Sequence, residues 1–372
     1  MNTKFFRQLT VLTLLGLLCF TVSCRDKKKN NEPEEPEDAF DKSGMLINYA
    51  DNIILPAYQS FSISLDSLNQ AYSVFKNNPD LPNLHALKSK FVVAYTKYQR
   101  CDLFELGPAE NTGIRGNFNI FPTDTQQIKT NISTGIYDFS AISNLDAKGF
   151  PALDYLFYGK QETVIVASFT NTNTKQYVTD LLNEMTGKCN TVITGWNSSY
   201  RNSFINSLGT DIGSSIGLLI NQLNYNLDYL KNAKIGIPLG KKSLGIAYPD
   251  KCEAFYSSSY SLKYAIETLD LIERVYNGKS LNGSNNKGFD DYLIHLKVQH
   301  TSGTLNDAIQ TQFSLARTKL MAIAEPLSTQ MTTNPTVVDA AYAELVKLLV
   351  LLKADLPSSL GVVITYQDGD GD

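Results

Sequence analysis

Histidine is nearly missing from this chain: His85, His295 and His300 are the only three in 372 residues. Imidazole is the commonest transition-metal ligand and the usual proton carrier near neutral pH, so the count excludes a histidine-rich metal centre or relay. His295 and His300 stand five apart, about 140° out of phase on a helix, and do not converge on one ion. Cysteine is as thin. Cys19 and Cys24 lie near the N-terminus, and Cys101, Cys189 and Cys252 are scattered without metal-ligand spacing. Those three allow one disulfide at most and read as small buried hydrophobes. The single tryptophan, Trp196, falls on an apolar stripe, where a core role is the default. No nucleophile elbow, Walker loop or HExxH spacing occurs. Positive charge is also in deficit, with Lys+Arg 33 against Asp+Glu 37 and no dense basic patch, which argues against a nucleic-acid partner.

What is present begins with an address. Lys4 and Arg7 precede an apolar run from Leu9 to Val22 that ends at Thr21-Val22-Ser23-Cys24. Such a run is a secretory signal, too short and too small at its end for a membrane span. A cysteine in this place resembles the lipobox of bacterial lipoproteins, which implies cleavage of residues 1–23 and a lipid anchor on Cys24. Cleavage removes two basic and no acidic residues, leaving a net charge of −6. Residues 24–40 are charged, carry Pro33 and Pro36 and offer almost nothing to bury, so they read as a disordered tether. The expected location is the cell envelope, lipid-anchored at the outer membrane on its periplasmic or surface face.

Beyond the tether, apolar residues recur at helical spacing. The stripes run Ala57–Phe75, Leu84–Tyr98, Tyr177–Tyr200, Ile212–Leu230, Leu262–Tyr276, Leu305–Ile323 and Val338–Leu352. Pro56 is expected to interrupt the first helix, Asn83 to cap the second and Pro357 to end the last. Residues 107–148 lose the period and read as a long connection of the kind that carries function. Only Thr163–Val166 and Val362–Tyr366 suggest strands. The economical fold is all-α: two helical-bundle domains of about four helices each, 41–235 and 236–372, divided at Ile235-Gly236-Ile237-Pro238-Leu239-Gly240.

One stretch stands apart. Gly149-Phe150-Pro151-Ala152-Leu153-Asp154-Tyr155-Leu156-Phe157-Tyr158-Gly159 reads as a short helix, with proline in its first turn and a closing glycine suited to a left-handed cap. The tail Asp368-Gly369-Asp370-Gly371-Asp372 alternates carboxylates but lacks the length and the later glutamate of a calcium loop.

Taken together, several segments resemble the imelysin-like lipoproteins of Bacteroidetes, the peptidase M75-like family. They are Arg100–Ile128 with Gly107-Pro108 and Ile120-Phe121-Pro122-Thr123-Asp124, then Gly149–Gly159, Ile235–Gly240, Glu253-Ala254-Phe255-Tyr256-Ser257, Lys353-Ala354-Asp355-Leu356-Pro357 and the acidic tail. The resemblance implies two four-helix bundles with a Gly-x-His-x-x-Glu motif near their interface, and a role in iron uptake or metal binding rather than proven proteolysis. Here the motif is degenerate: Pro151 stands in place of the histidine and Asp154 in place of the glutamate. A histidine and a carboxylate three apart on a helix could share a metal, whereas proline brings no donor atom and a lone Asp154 binds a transition metal poorly.

Asp154 has two readings. It acts as a first-turn carboxylate favoured by unpaired N–H groups and the helix dipole, or it lines an interfacial pocket for a polar ligand with Gly149, Pro151, Tyr155, Glu105, Arg115 and Glu253. The expected function is a non-catalytic, lipid-anchored binding protein linked to uptake of iron or another nutrient. Iron or another divalent metal, haem and peptides are the candidate ligands, and envelope uptake proteins the candidate partners. A metallopeptidase with ligands outside the motif, or a surface scaffold, are the alternatives.

Overall fold

The computed structural model describes residues 39–366 apart from Ser302, and within them the chain turns helical at once. The expected signal, lipidated Cys24, nearly all of the tether and the acidic tail lie outside the described residues. Asp41 caps the first helix, its carboxylate accepting Gly44 N at 2.8 Å. That helix, α1, runs unbroken through Lys42–Asn48, a π-turn at Tyr49–Ile54 and Leu55–Asn77. It pairs with α2 (Leu81–Gln99) across a short turn. Asp80, not Asn83, caps α2: its carboxylate accepts the backbone N–H of Asn83, which already lies one turn inside.

The stretch read as a structureless connection instead holds three short helices, α3 (Pro108–Thr112), α4 (Ile114–Phe118) and α5 (Thr125–Thr134), and a 3₁₀ segment at Ile142–Ala147. These elements are too short for a stripe of several turns to show. Next come α6 (Gly149–Tyr158), α7 (Glu162–Ser168) and α8, which passes from Thr172–Gly195 through a π-turn at Trp196–Tyr200 into Arg201–Asn206. The strand expected at Thr163–Val166 is thus the middle of α7, where Ile165 is buried and its β-branched neighbours are not.

α9 begins after Ser214, leaving Ile212 outside the helix, and runs from Ser215–Tyr229 through a π-turn at Leu230–Gly236 to Ile237–Leu239. The division expected at 235/236 therefore falls inside a helix, and the left-handed Gly240 ends it. α10 (Ser261–Tyr276) and α11 (Phe289–His295) follow, then a hairpin of β1 (Gln299–His300) and β2 (Gly303–Thr304), α12 (Leu305–Met321) and α13 (Leu327–Thr333). α14 runs from Pro335–Val350 through a π-turn at Leu351–Asp355 to Leu356–Leu360, so Pro357 does not end it. Val362–Tyr366 forms no strand: its backbone pairs with the Asn221 side chain, which donates to Val363 O and accepts from Thr365 N.

The fold is all-α, and the described residues from Asp41 to Tyr366 belong to one compact unit. α8 packs on α1, α12 pairs with α14, and α10 lies against α2, α9 and α12, joining the two halves of the sequence. Three of the π-turns stand just before Pro56, Pro238 and Pro357. A proline inside a helix lacks an N–H and pushes on the carbonyl four residues back; a turn widened to i→i+5 bonding absorbs both faults. The helices continue through residues that ordinarily end them.

Candidate functional site

The entry into α6 is set by Gly149, whose φ of +71° is costly for any side chain. A Cβ there would also lie 2.3 Å from Phe118 O, so only glycine lets the backbone of α4 come this close. The closing Gly159 has φ −71°, not the left-handed value expected, and the helix ends on a bond from Gly159 N to Tyr155 O of 2.8 Å. Glycine is needed at 159 for closeness too, since a Cβ would sit 2.5 Å from Tyr155 O. Phe150 fixes the inner face, stacked on Tyr95 with centroids 4.4 Å apart.

Asp154 lies in the second turn of α6 and is only 1 % exposed. Its two oxygens accept Tyr256 N and Ser257 N, each at 2.9 Å. The carboxylate thus ties α6 to the loop before α10 and does not cap its own helix. Burial pushes its pKa up to about 6, opposed by the hydrogen bonds from residues 256 and 257 and reinforced by the nearby Glu253 charge.

Glu253 stands on the same loop, just before Ala254, whose φ of +52° makes the sharp turn that sends Glu253 inward. Oε1 accepts Gln99 Nε2 and Asn119 Nδ2, both at 2.7 Å, and Oε2 lies 2.8 Å from Lys234 Nζ. The Tyr95 hydroxyl has one proton to give, and lies 2.5 Å from Asn119 Oδ1 and 3.1 Å from Glu253 Oε1. Lys234 also donates to Gln99 Oε1 at 2.6 Å and Thr268 Oγ1 at 2.9 Å, while its contact with Glu253 is an ion pair that leaves Oε2 buried without a hydrogen bond. The cluster draws on α2, the segment after α4, the π-turn of α9, the 253 loop and α10. Beside it the Tyr264 hydroxyl is buried without a hydrogen-bond partner, its ring 4.4 Å from that of Tyr95.

Arg115 and Glu105 form a second cluster. Arg115 Nη1 is 2.8 Å from Glu105 Oε2, Nη2 donates to Asp102 O at 2.6 Å and Gln222 Oε1 at 3.0 Å, and the guanidinium lies 4.2 Å from the Tyr225 ring centre. Asp102 in turn accepts the Tyr98 hydroxyl at 2.7 Å and Asn226 Nδ2 at 3.1 Å. Burial raises the Glu105 pKa against the pull of Arg115.

The residues expected around one pocket are therefore distributed. Pro151 and Asp154 border a cavity of about 20 Å³ with Cys252 and Tyr256, room for roughly one water molecule. Tyr155 lines a separate pocket of about 230 Å³. Glu253 and Glu105–Arg115 belong to two separate networks, in which Glu253 Oε2 and Arg115 Nε are buried without a hydrogen bond and are met by ion pairs alone. A metal does not fit this arrangement, because Pro151 has no donor, Asp154 is committed to two N–H groups and Glu253 to Lys234 and two amides. Among the described residues no group of three His, Cys, Asp or Glu is placed to hold one.

Sequence reasoning missed Lys234, Gln99, Tyr95, Asn119 and Asp102 as members of these clusters. A signal existed for two of them: Lys234 continues the stripe Leu223, Leu227, Leu230, and Asp102 the stripe Phe91, Tyr95, Tyr98. A charge in register with an apolar stripe must find a buried partner.

Comparison with known proteins agrees with this architecture. The chain is 23% identical over 295 residues to iron-regulated protein A of Synechococcus elongatus, covering 76% of each. A crystal structure described as an iron-regulated protein A precursor from Parabacteroides distasonis superposes with a TM-score of 0.72 at 16% identity, over 86% of this chain and 95% of that one. An imelysin-like protein from Psychrobacter arcticum gives 0.66 at 16% identity, over 87% and 97%. The imelysin (peptidase M75) profile matches residues 54–354, and the chain belongs to the imelysin family.

Proposed function

We propose that this chain is a binding protein of the bacterial cell envelope, anchored through Cys24, that serves uptake of iron or another nutrient without catalysing a reaction. The observation that carries the reading is the commitment of Asp154. Where the family resemblance places a histidine and a carboxylate, this chain has a proline without a donor atom and a buried carboxylate that holds Tyr256 and Ser257 by their N–H groups. A hydrolytic centre needs a ligand set and an open coordination position, and neither residue offers one. The iron link is supported by the names of the Synechococcus and Parabacteroides relatives.

Titration of the full chain with Fe(II), Fe(III), haem and mixed peptides tests the reading. Saturable binding of an iron species is expected, together with no cleavage of casein with or without a chelator. Absence of binding to all three iron species at about millimolar concentration sinks the iron link, and chelator-sensitive cleavage lost in Asp154→Asn sinks the non-catalytic part.

A further inference from the structure

The pocket beside Tyr155 has its own chemistry. It opens between α5, α6, α7 and the start of α8, away from the Glu253 cluster, and encloses about 230 Å³. Its floor is mainly apolar, built from Ile128, Tyr155, Leu156 and Ile165, with the buried Thr174 beside them. An apolar cavity of roughly 150 Å³ already accepts benzene, so this one accommodates an aromatic ring with a short substituent, or a short alkyl chain.

At its mouth stand Lys129 and Lys160, with the hydroxyls of Ser133 and Ser168. Both lysines are exposed, and neither side chain makes an ion pair or hydrogen bond among the described residues, so both ammonium groups are available to a ligand. No carboxylate lines the pocket among the described residues. The mouth is thus cationic in a chain of net charge −4, over a floor that favours a hydrocarbon body. An apolar pocket with a few convergent polar groups is the usual form of a small-ligand site.

The geometry points to a binding site for a small organic carboxylate with an apolar body, an aryl acid or a short-chain aliphatic acid, whose carboxylate meets Lys129 and Lys160 while its body lies on Tyr155 and Ile165. The site is separate from the buried carboxylate clusters and does not depend on an iron ligand.

Calorimetric titration of the full chain with benzoate and octanoate tests it, with benzyl alcohol as the uncharged comparison. One acid is expected to bind saturably at one site per chain, with benzyl alcohol and the Lys129→Ala/Lys160→Ala variant each about tenfold weaker. Because both lysines are exposed and unpaired, that variant should melt with the parent. Ile132→Trp, which fills the pocket from α5, is expected to abolish binding. The proposal is overturned by a lack of saturation with both acids at about 10 mM, by equal affinity for benzyl alcohol, or by binding that survives either variant unchanged.

Discussion

Lys234 and Glu253 illustrate what a buried charge demands of its surroundings. Each side chain is 1 % exposed, and removing one leaves the other charged, dry and unpaired. Lys234→Met is therefore expected to destabilise the protein by about 3–5 kcal/mol, and Lys234→Met/Glu253→Leu by clearly less, because the double variant leaves no orphan charge. Urea unfolding of the three proteins measures both. Asp154 gives a pH signature instead. Its folded pKa is raised from 3.8 to about 6, so the folded state holds its proton where the unfolded state has lost it. Its contribution to stability is thus complete below the unfolded value and is lost as pH rises through the folded one. Relative to Asp154→Asn, the parent should lose on the order of 3 kcal/mol between about pH 4 and pH 7, read from unfolding midpoints across that range. A flat difference would mean that Asp154 is ionised throughout.

At the scale of the element, helix α2 separates two candidate caps. Asp80→Ala should cost about 1 kcal/mol, the ordinary worth of an N-cap, while Asn83→Ala should cost less, because Asn83 supplies only an exposed side-chain bond to Asn78 O. Thermal melts of the two variants decide it. The same helix shows what the sequence makes legible. Its stripe of Leu84, Leu87, Phe91 and Tyr95 is periodic over several turns, and so the helix, its buried face and its pairing with α1 could be read directly. The prolines misled because a π-turn leaves no compositional mark: Tyr49–Ile54, Leu230–Gly236 and Leu351–Asp355 look like ordinary helix. The candidate site was less legible still. Asp154 and Glu253 were recognisable as residues, but the N–H groups that Asp154 holds and the amides that Glu253 accepts lie more than a hundred positions away in sequence, and even the nearer Lys234 sits on a separate helix, so only the fold shows that one holds a loop and the other a lysine.

At the scale of the whole molecule, the thiols bear on the compartment. Cys101, Cys189 and Cys252 are free and buried, and burial raises the pKa of all three, to about 12 for Cys189 and Cys252. A thiol that is neither ionised nor accessible does not react, so an oxidising envelope leaves these three unchanged without a disulfide to protect them. The expectation is that a thiol reagent labels none of them in the folded chain and all three in denaturant, and that a reductant leaves the melting temperature where it was. Cys24 behaves differently under the proposed anchoring, because in sequence it precedes α1, at the end of the apolar N-terminal run. Cys24→Ala in the full chain should release the protein from the membrane fraction and abolish incorporation of labelled fatty acid, while the melting temperature stays unchanged because the compact unit begins at Asp41. Retention of the variant on the membrane would instead require a second attachment, and the anchor would no longer explain how a helical unit without any membrane-crossing helix among its described residues is held there.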